Sequence, residues 1–506
     1  MLCTMQGKKN YTEKLFANFQ LSERVPVNNF YRRLKGVLDL NFLYPATKSL
    51  YGETGNPSVD PKVFFKLMLV GYLENIPSDR KLIEHCQMRL DVLYFLDYDI
   101  DEPLPWHSTV SRTRKLFPET LFEKLFNKVF ALCVHSGMVR GSTQSIDSAL
   151  SHANASKESI EDIRQPLVSI QEFLQKSQEE NVDAAKQSGT PDNQNQYRNG
   201  KKKRNETQRS STDPDARIAS RPGKGMELGY LCNVAVDDQQ HVITHIQADF
   251  ADKRDSECLP AIVEKTQQRL EQHDLKLQEV AADTNYSSGE NYQMLEEKNM
   301  TAWIPVHGCF QPHREGFQYD EQNDLYVCAN NKHLTLRKTF TDQRGNPYKV
   351  YSSSSKDCKV CPLKLSCIGA KKRYKTIKHT LYHRSYENAY RRQISAEGRK
   401  MKTLRSSRAE PVIGTLMNFL KLRKLRVRGI TSVHKVMLLA ATVYNLKKYM
   451  RQIGGSTKAA VIQMEKAVFN SKSILISIEV SLKSFMRTIL NNKQVVNQIF
   501  NLKQSS

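Results

Sequence analysis

Thr143-Gln-Ser-Ile-Asp147-Ser-Ala-Leu-Ser-His-Ala-Asn-Ala-Ser156 decides how the chain is read. β-Favouring and apolar residues lead to one acid, and small and polar residues follow. A strand is expected over 143–149, with Asp147 at its end. A carboxylate there, among small neighbours, can hold a metal ion against a bulky substrate. Two later segments offer it partners: Val280-Ala-Ala-Asp283-Thr-Asn-Tyr286, and Arg405-Ser-Ser-Arg408-Ala-Glu410-Pro-Val-Ile-Gly414. Only a sheet and a helix can gather three acids so far apart in sequence.

Outward from that strand, 229–236 and 241–248 read as two more, joined through Asp237-Asp-Gln-Gln240, a hairpin by length and composition. Leu259, Ile262, Val263, Thr266 and Leu270 give helical spacing over 256–272. A strand over 277–282 then ends at Asp283, followed by a helix over 289–298 and a strand over 301–306. This order predicts an α/β, ribonuclease H-like mixed sheet with flanking helices: three antiparallel strands, then two reached through helical crossovers. It sets Asp147 beside the end of the fourth strand, where Asp283 sits. Pro411 disfavours helix at Glu410, so Glu410 is expected at the start of a helix over 412–422. Apolar positions over 432–450 can cover the sheet.

Residues 1–138 read as an all-helical DNA-binding domain. Asp60 is a plausible N-cap with Pro61 at the first helical position, and Val63, Phe64, Leu67, Met68 and Tyr72 recur behind them. Ser78 begins another helix. After the break at Pro103-Leu-Pro105-Trp106, a short helix carries Ser108, Arg112 and Arg114, whose hydroxyl and guanidinium groups can reach phosphates and base edges. A solvated face of an ordinary bundle is the competing reading.

The core, 139–307, is interrupted by a polar insert, 157–221, largely disordered by composition; its Lys201-Lys-Lys-Arg204 run reads as a solvated charge cluster. A Cys-containing insertion spans 308–385. There Cys358-Lys-Val-Cys361, with Cys328 and Cys367, has the ligand types for structural Zn²⁺, against free cysteines in a small β-rich insertion. The second part of the core, with Glu410, spans 386–450, and a helical tail spans 451–506.

With 76 Lys and Arg against 53 Asp and Glu, the 506-residue chain carries a formal charge of +23. Such an excess favours a polyanionic partner, double-stranded DNA before a membrane surface. Residues 371–428 hold 18 Lys or Arg against Glu387, Glu397 and Glu410, a bias suited to tracking a phosphate backbone. No apolar run is long enough to span a bilayer. The first ten residues have no apolar signal-peptide core, and ten cysteines suit a reducing cytosol, so a cytoplasmic, nucleoid-associated bacterial protein is expected.

The chain resembles DDE-class insertion-sequence transposases over roughly residues 25–450. The likeness is carried by Val59-Asp-Pro-Lys-Val63, Ile146-Asp147-Ser148 through Ala153-Asn-Ala-Ser156, and Thr212-Asp-Pro-Asp-Ala-Arg217. It continues in Ala282-Asp283-Thr-Asn-Tyr286, Cys358-Lys-Val-Cys-Pro362, Arg408-Ala-Glu-Pro-Val-Ile-Gly-Thr415, Arg428-Gly429 and Tyr444-Asn-Leu-Lys447. It implies two Mg²⁺ (or Mn²⁺) ions, about 4 Å apart in such chemistry, held by Asp147, Asp283 and Glu410. It also implies cutting at terminal inverted repeats, transfer of the 3′ ends into target DNA, and a homodimer on DNA. Arg405, Arg408, Lys421, Arg423, Arg426 and Arg428 are the expected DNA contacts of the second half. Asn285 stands where relatives often have Gly, Ser151-His152 where a Lys is common, and Met417 where a DNA-contacting Lys is usual. Three other readings remain at this level: an inactive DNA-binding derivative, a two-metal nuclease that does not join, and a zinc-dependent regulator.

Overall fold

A computed structural model describes residues 19–52, 58–163, 200–220, 225–308, 310, 312, 314–342 and 345–454. The middle of the polar insert and the tail beyond 454 lie outside the described residues. The chain divides into two units, 1–445 and 446–506; of the second, 446–454 are described, as helix. None of the described helices is long and apolar enough to cross a membrane.

The N-terminal helices pack around α1 (Pro61–Leu73), with α2 (Asp79–Gln87), α3 (His107–Leu116) and α4 (Glu119–His135) following. Asp60 caps α1, accepting from Lys62 N at 2.6 Å and Val63 N at 3.3 Å. Apolar residues on nearly every face of α1 are buried, which makes it the central helix. Phe64 meets Phe117 edge-on, and Phe65 meets Phe122, each at 5.1 Å between centroids.

The core sheet has β1 (Thr143–His152), β2 (Met226–Asp237), β3 (Ile243–Phe250), β4 (Glu279–Ala281) and β5 (Thr301–Trp303). Their order is β3-β2-β1-β4-β5, antiparallel across the first three and parallel across the last three. That is the ribonuclease H-like arrangement the element order predicts. α5 (Asp255–Glu271) and α6 (Gly289–Glu297) are the crossovers. The insert's last strand, Arg217–Ser220, adds to the edge beside the start of β2.

β1 runs past its predicted end. Its polar tail pairs with β2 as far as His152↔Gly229. A Cβ at Gly229 would meet Ser151 O at 2.5 Å, so only glycine lets the strands approach there.

The edge strand β3 is covered by the helix starting at Ile430. Asn445 accepts from Ile243 N at 2.9 Å and donates to Ile243 O at 2.8 Å, while His434 Nδ1 accepts from Ala248 N at 3.1 Å. These bonds blunt an edge that would otherwise offer unpaired backbone. The 308–385 insertion forms a five-stranded antiparallel sheet, from Phe317–Asp320 to Thr376–Thr380. α7 (His383–Ile394) and α8 (Ala396–Gly414) return the chain to the core.

Candidate metal centre and nucleic-acid interface

β1 and β4 lie parallel up to the pair Ser145↔Ala281. Asp147 and Asp283 each sit two residues further along, so they leave the sheet side by side. Asp147 is in mid-strand, paired with Val234, rather than at the strand end as expected. Its side chain is 16% exposed. One carboxylate oxygen accepts from Ser148 N at 2.8 Å, the other from Arg405 Nη1 at 3.0 Å. Burial pushes its pKa up to about 6; the Ser148 N–H and the Arg405 guanidinium pull it down, while the Asp283 and Asp255 carboxylates push it up. Asp283 opens the short turn Thr284–Tyr286 and accepts from Asn285 N at 2.9 Å and Asn285 Nδ2 at 3.1 Å. The Asn that departs from the relatives' Gly thus orients this carboxylate.

Glu410 arrives differently from expectation. α8 runs unbroken through Pro411, and Glu410 lies inside it, with a π-helical turn at Thr415–Phe419. A proline inside a helix costs about 3 kcal/mol. Here Met401, Ala409 and Val412 are buried where α8 packs across β1 and β2, and that packing overrides the local preference. Arg405, on the same helix, reaches Glu410 at 3.6 Å through the guanidinium that also holds Asp147. The two carboxylates therefore flank one planar group, less than about 9 Å apart. Among the described residues these three acids are not drawn within 4.8 Å of one another.

Comparison with known proteins bears on this site. A family model described as "Transposase domain" matches residues 19–116, and one described as "Transposase DDE domain" matches 327–450, which include Glu410. Two separate stretches of the chain thus match transposase family models, the second of the DDE class. Asp147 and Asp283 lie between the two matched stretches. A search of curated proteins gives no match. Among solved structures, a pre-cleavage Mos1 transpososome is 12% identical over 57% of this chain and 76% of that one, at a TM-score of 0.14; at that score the likeness carries no argument.

A DDE transposase domain over 327–450 implies an enzyme that uses divalent metal. The donors fit such an ion. Three hard carboxylates face one region from the middle of β1, the turn after β4 and α8, and the most buried of them has its pKa raised in part by its acidic neighbours. Asp255 at the start of α5 is a fourth acid near the centre, which sequence reasoning missed. It accepts from Ser148 Oγ at 2.6 Å. An Asp in a first helical turn looks like an ordinary capping residue, and nothing in its neighbours marks it out.

A second acidic group, Glu119, Glu123 and His434, has ligand atoms within 4.8 Å of one another. It does not fit a metal. His434 Nδ1 accepts a backbone hydrogen bond, which leaves the proton on Nε2, the atom aimed at Glu119 Oε1 3.5 Å away. A nitrogen that carries a proton has no lone pair for an ion.

The basic residues divide into two kinds. Arg114 forms two hydrogen bonds to Asp79, at 2.9 and 2.6 Å, and so ties α3 to α2. Arg408 turns inward to Asp238 at 3.5 Å, both largely buried. Arg405 is held at the acids. Arg112, Lys421, Arg423, Arg426 and Arg428 are exposed, and Ser108 is half-buried. Met417 is buried, with Ser151 Oγ 3.9 Å from its sulfur.

A cavity of about 600 Å³ opens between α1–α3 and residues 420–436. An adjoining one of about 740 Å³ shares Asn154, Lys421, Lys424 and Arg426 with it. The Ala-Asn-Ala-Ser segment explains how this basic loop is held. His152 N donates to Arg423 O, Leu425 N donates to His152 O, both at 2.9 Å, and Asn154 Nδ2 donates to Arg426 O at 3.1 Å. β1 thus carries Asp147 at its middle and grips the basic loop at its end, five residues or roughly 17 Å away.

The Thr212–Arg217 motif fastens the other end of that loop. Asp213 accepts from Tyr230 OH at 2.8 Å and Gly429 N at 3.0 Å, and Asp215 accepts from Ile430 N at 3.0 Å. Gly429 has φ +80°, and Asp215 Oδ2 would lie 3.5 Å from a Cβ there.

Proposed function

We propose that this chain cuts the phosphodiester bonds at the terminal inverted repeats of its own element and joins the freed 3′ ends to target DNA. The observation that carries the reading is the placement of three acids that lie 136 and 127 residues apart along the chain: Asp147 beside Asp283 at neighbouring strands, and Glu410 across the Arg405 guanidinium. Asp147, Asp283 and Glu410 would hold two Mg²⁺ (or Mn²⁺) ions. When bound, these supply Lewis-acid polarisation of the scissile phosphate and charge relief at the departing oxygen.

The chain's own groups do the rest. Lys421, Arg423, Arg426 and Arg428 take phosphates along the cleft, with Ser108 and Arg112 on α3 facing the duplex. Arg405 positions Asp147 and Glu410, and its cationic edge lies where a phosphate would be drawn in. Arg114 and Arg408, held by acids, act by fixing α3 and α8. Acting on two ends favours two copies on DNA, which light scattering of the protein with and without a terminal duplex would count.

The deciding experiment incubates the full chain with Mg²⁺, a labelled duplex carrying the element's end, and a plasmid target. Cutting with joining supports the reading. Cutting alone leaves a two-metal nuclease, and a mobility shift without cutting leaves a DNA-binding derivative; either result overturns it.

A further inference from the structure

Outside the acidic centre, one side-chain cluster is left without a role by DNA cutting. Cys328, Cys358, Cys361 and Cys367 line a single pocket of about 40 Å³ under the five-stranded sheet of the insertion. They come to it from separate elements. Cys328 ends the strand Leu325–Cys328, Cys358 lies in the last turn of the helix Ser355–Lys359, and Cys367 ends the helix Lys364–Cys367, with Cys361 in the turn between. All four are free thiols, each partly exposed. The chain's other described cysteines, Cys86, Cys133, Cys232 and Cys258, are buried in cores and scattered along the chain.

We propose that these four thiols form a structural tetrathiolate zinc site. Four sulfur donors, two of them in C-x₂-C spacing, match a closed tetrahedral ligand set, and soft thiolates select zinc over the hard ions that carboxylates take. The pocket also has the surroundings such a site needs. Ser353 Oγ lies 3.0 Å from Cys358 Sγ, and Asn330 Nδ2 donates to Cys361 Sγ at 3.6 Å. Donors of this kind orient thiolates and temper their charge. Lys332, Lys364 and Lys375 line the same pocket, against Asp357 alone among acids, so a complex with net negative charge meets cations. Lys375 is itself fixed, its ammonium donating to Cys367 O at 3.2 Å and lying over the Phe317 ring.

Zn–S bonds of about 2.3 Å set the sulfurs roughly 3.8 Å apart. Among the described residues no three of these sulfurs lie within 4.8 Å of one another, so loading draws the Cys358–Cys367 turn inward. That turn carries few anchors of its own: Val360 and Leu365 are 82% and 75% exposed. An ion would pin it to the sheet, an energy source a small insertion needs more than a large core does.

The test uses the full chain purified under reducing conditions. Elemental analysis should find about one zinc per chain, and Co²⁺ exchange should give the strong visible bands of a tetrahedral site with thiolate-to-cobalt charge transfer. Alkylation with and without chelator, read by mass spectrometry, should show Cys328, Cys358, Cys361 and Cys367 protected together by metal. Cys361→Ser should lose the cobalt spectrum while Cys86→Ala keeps it. The wild-type titration stands by itself if a variant fails to fold. Disulfides among the four, free reactivity of all four in the native chain, or a cobalt spectrum without thiolate bands would each overturn the proposal. None of these readouts depends on DNA cutting, so this site and the acidic centre fail or stand separately.

Discussion

Asp147 is held at a cost. Its raised pKa means the folded chain takes up a proton more readily than the unfolded chain between about pH 6 and pH 4. The ionised form therefore lowers stability above pH 6, and that burden fades as pH falls through 6 towards 4. Asp147→Asn should raise stability by on the order of 2 kcal/mol at pH 7, by less at pH 4, and abolish DNA cutting; urea denaturation at the two pH values checks the first part. His434 works with the opposite sign. Burial pulls its pKa down to about 4, so the unfolded chain protonates first as pH drops below 6.5. It should cost roughly 2 kcal/mol between pH 6.5 and 5, and His434→Asn should flatten that part of the acid limb in thermal melts. At this scale the neighbouring placement of Asp147 and Asp283 was legible in the sequence through the strand and turn residues around them. Arg405 as the group between two acids, Asp255 beside them, and the inward turns of Arg114 and Arg408 were not, because long-range pairing leaves no local pattern.

At the level of elements, the sheet followed from apolar runs and turn chemistry, which are local signals. The strand order was readable because short crossovers restrict the ways such a sheet can be wound. Glu410 was misplaced onto a helix start because Pro411 is a strong local signal, and only the packing of α8 on β1 and β2 reverses it. β1 was read three residues short for a related reason: its polar end is paired by β2 and by residues 423–425, distant in sequence. The Thr212–Arg217 motif earns its form by clamping the chain at Gly429 and Ile430. Asp213 is fully buried and accepts from two donors there. Asp213→Ala should leave both unpaired and cost about 2–3 kcal/mol, seen as a lower urea midpoint with the slope unchanged.

For the whole molecule, the charge excess marked a polyanion partner, but only the fold shows which cations are free to meet one. Arg114 and Arg408 are tied to acids, whereas Lys421, Lys424 and Arg426 stand exposed on the cleft. Replacing these three by Gln should weaken binding to any duplex alike and shrink the slope of log affinity against log salt by roughly 3. Arg114→Gln should instead lower stability and leave that slope nearly unchanged. Fluorescence anisotropy over a salt series, beside melting curves, separates the two.

The bond between Asn154 and Arg426 joins positions 272 residues apart. On a ribosome, β1 would wait roughly 15–50 s for that partner to emerge. A message frameshifted between residues 283 and 423 would still encode Asp147 and Asp283, yet yield a product whose first strand lacks the 423–426 segment that its end binds. Nearly full translation is thus a precondition for closing the end of β1, and with it for the cutting proposed above.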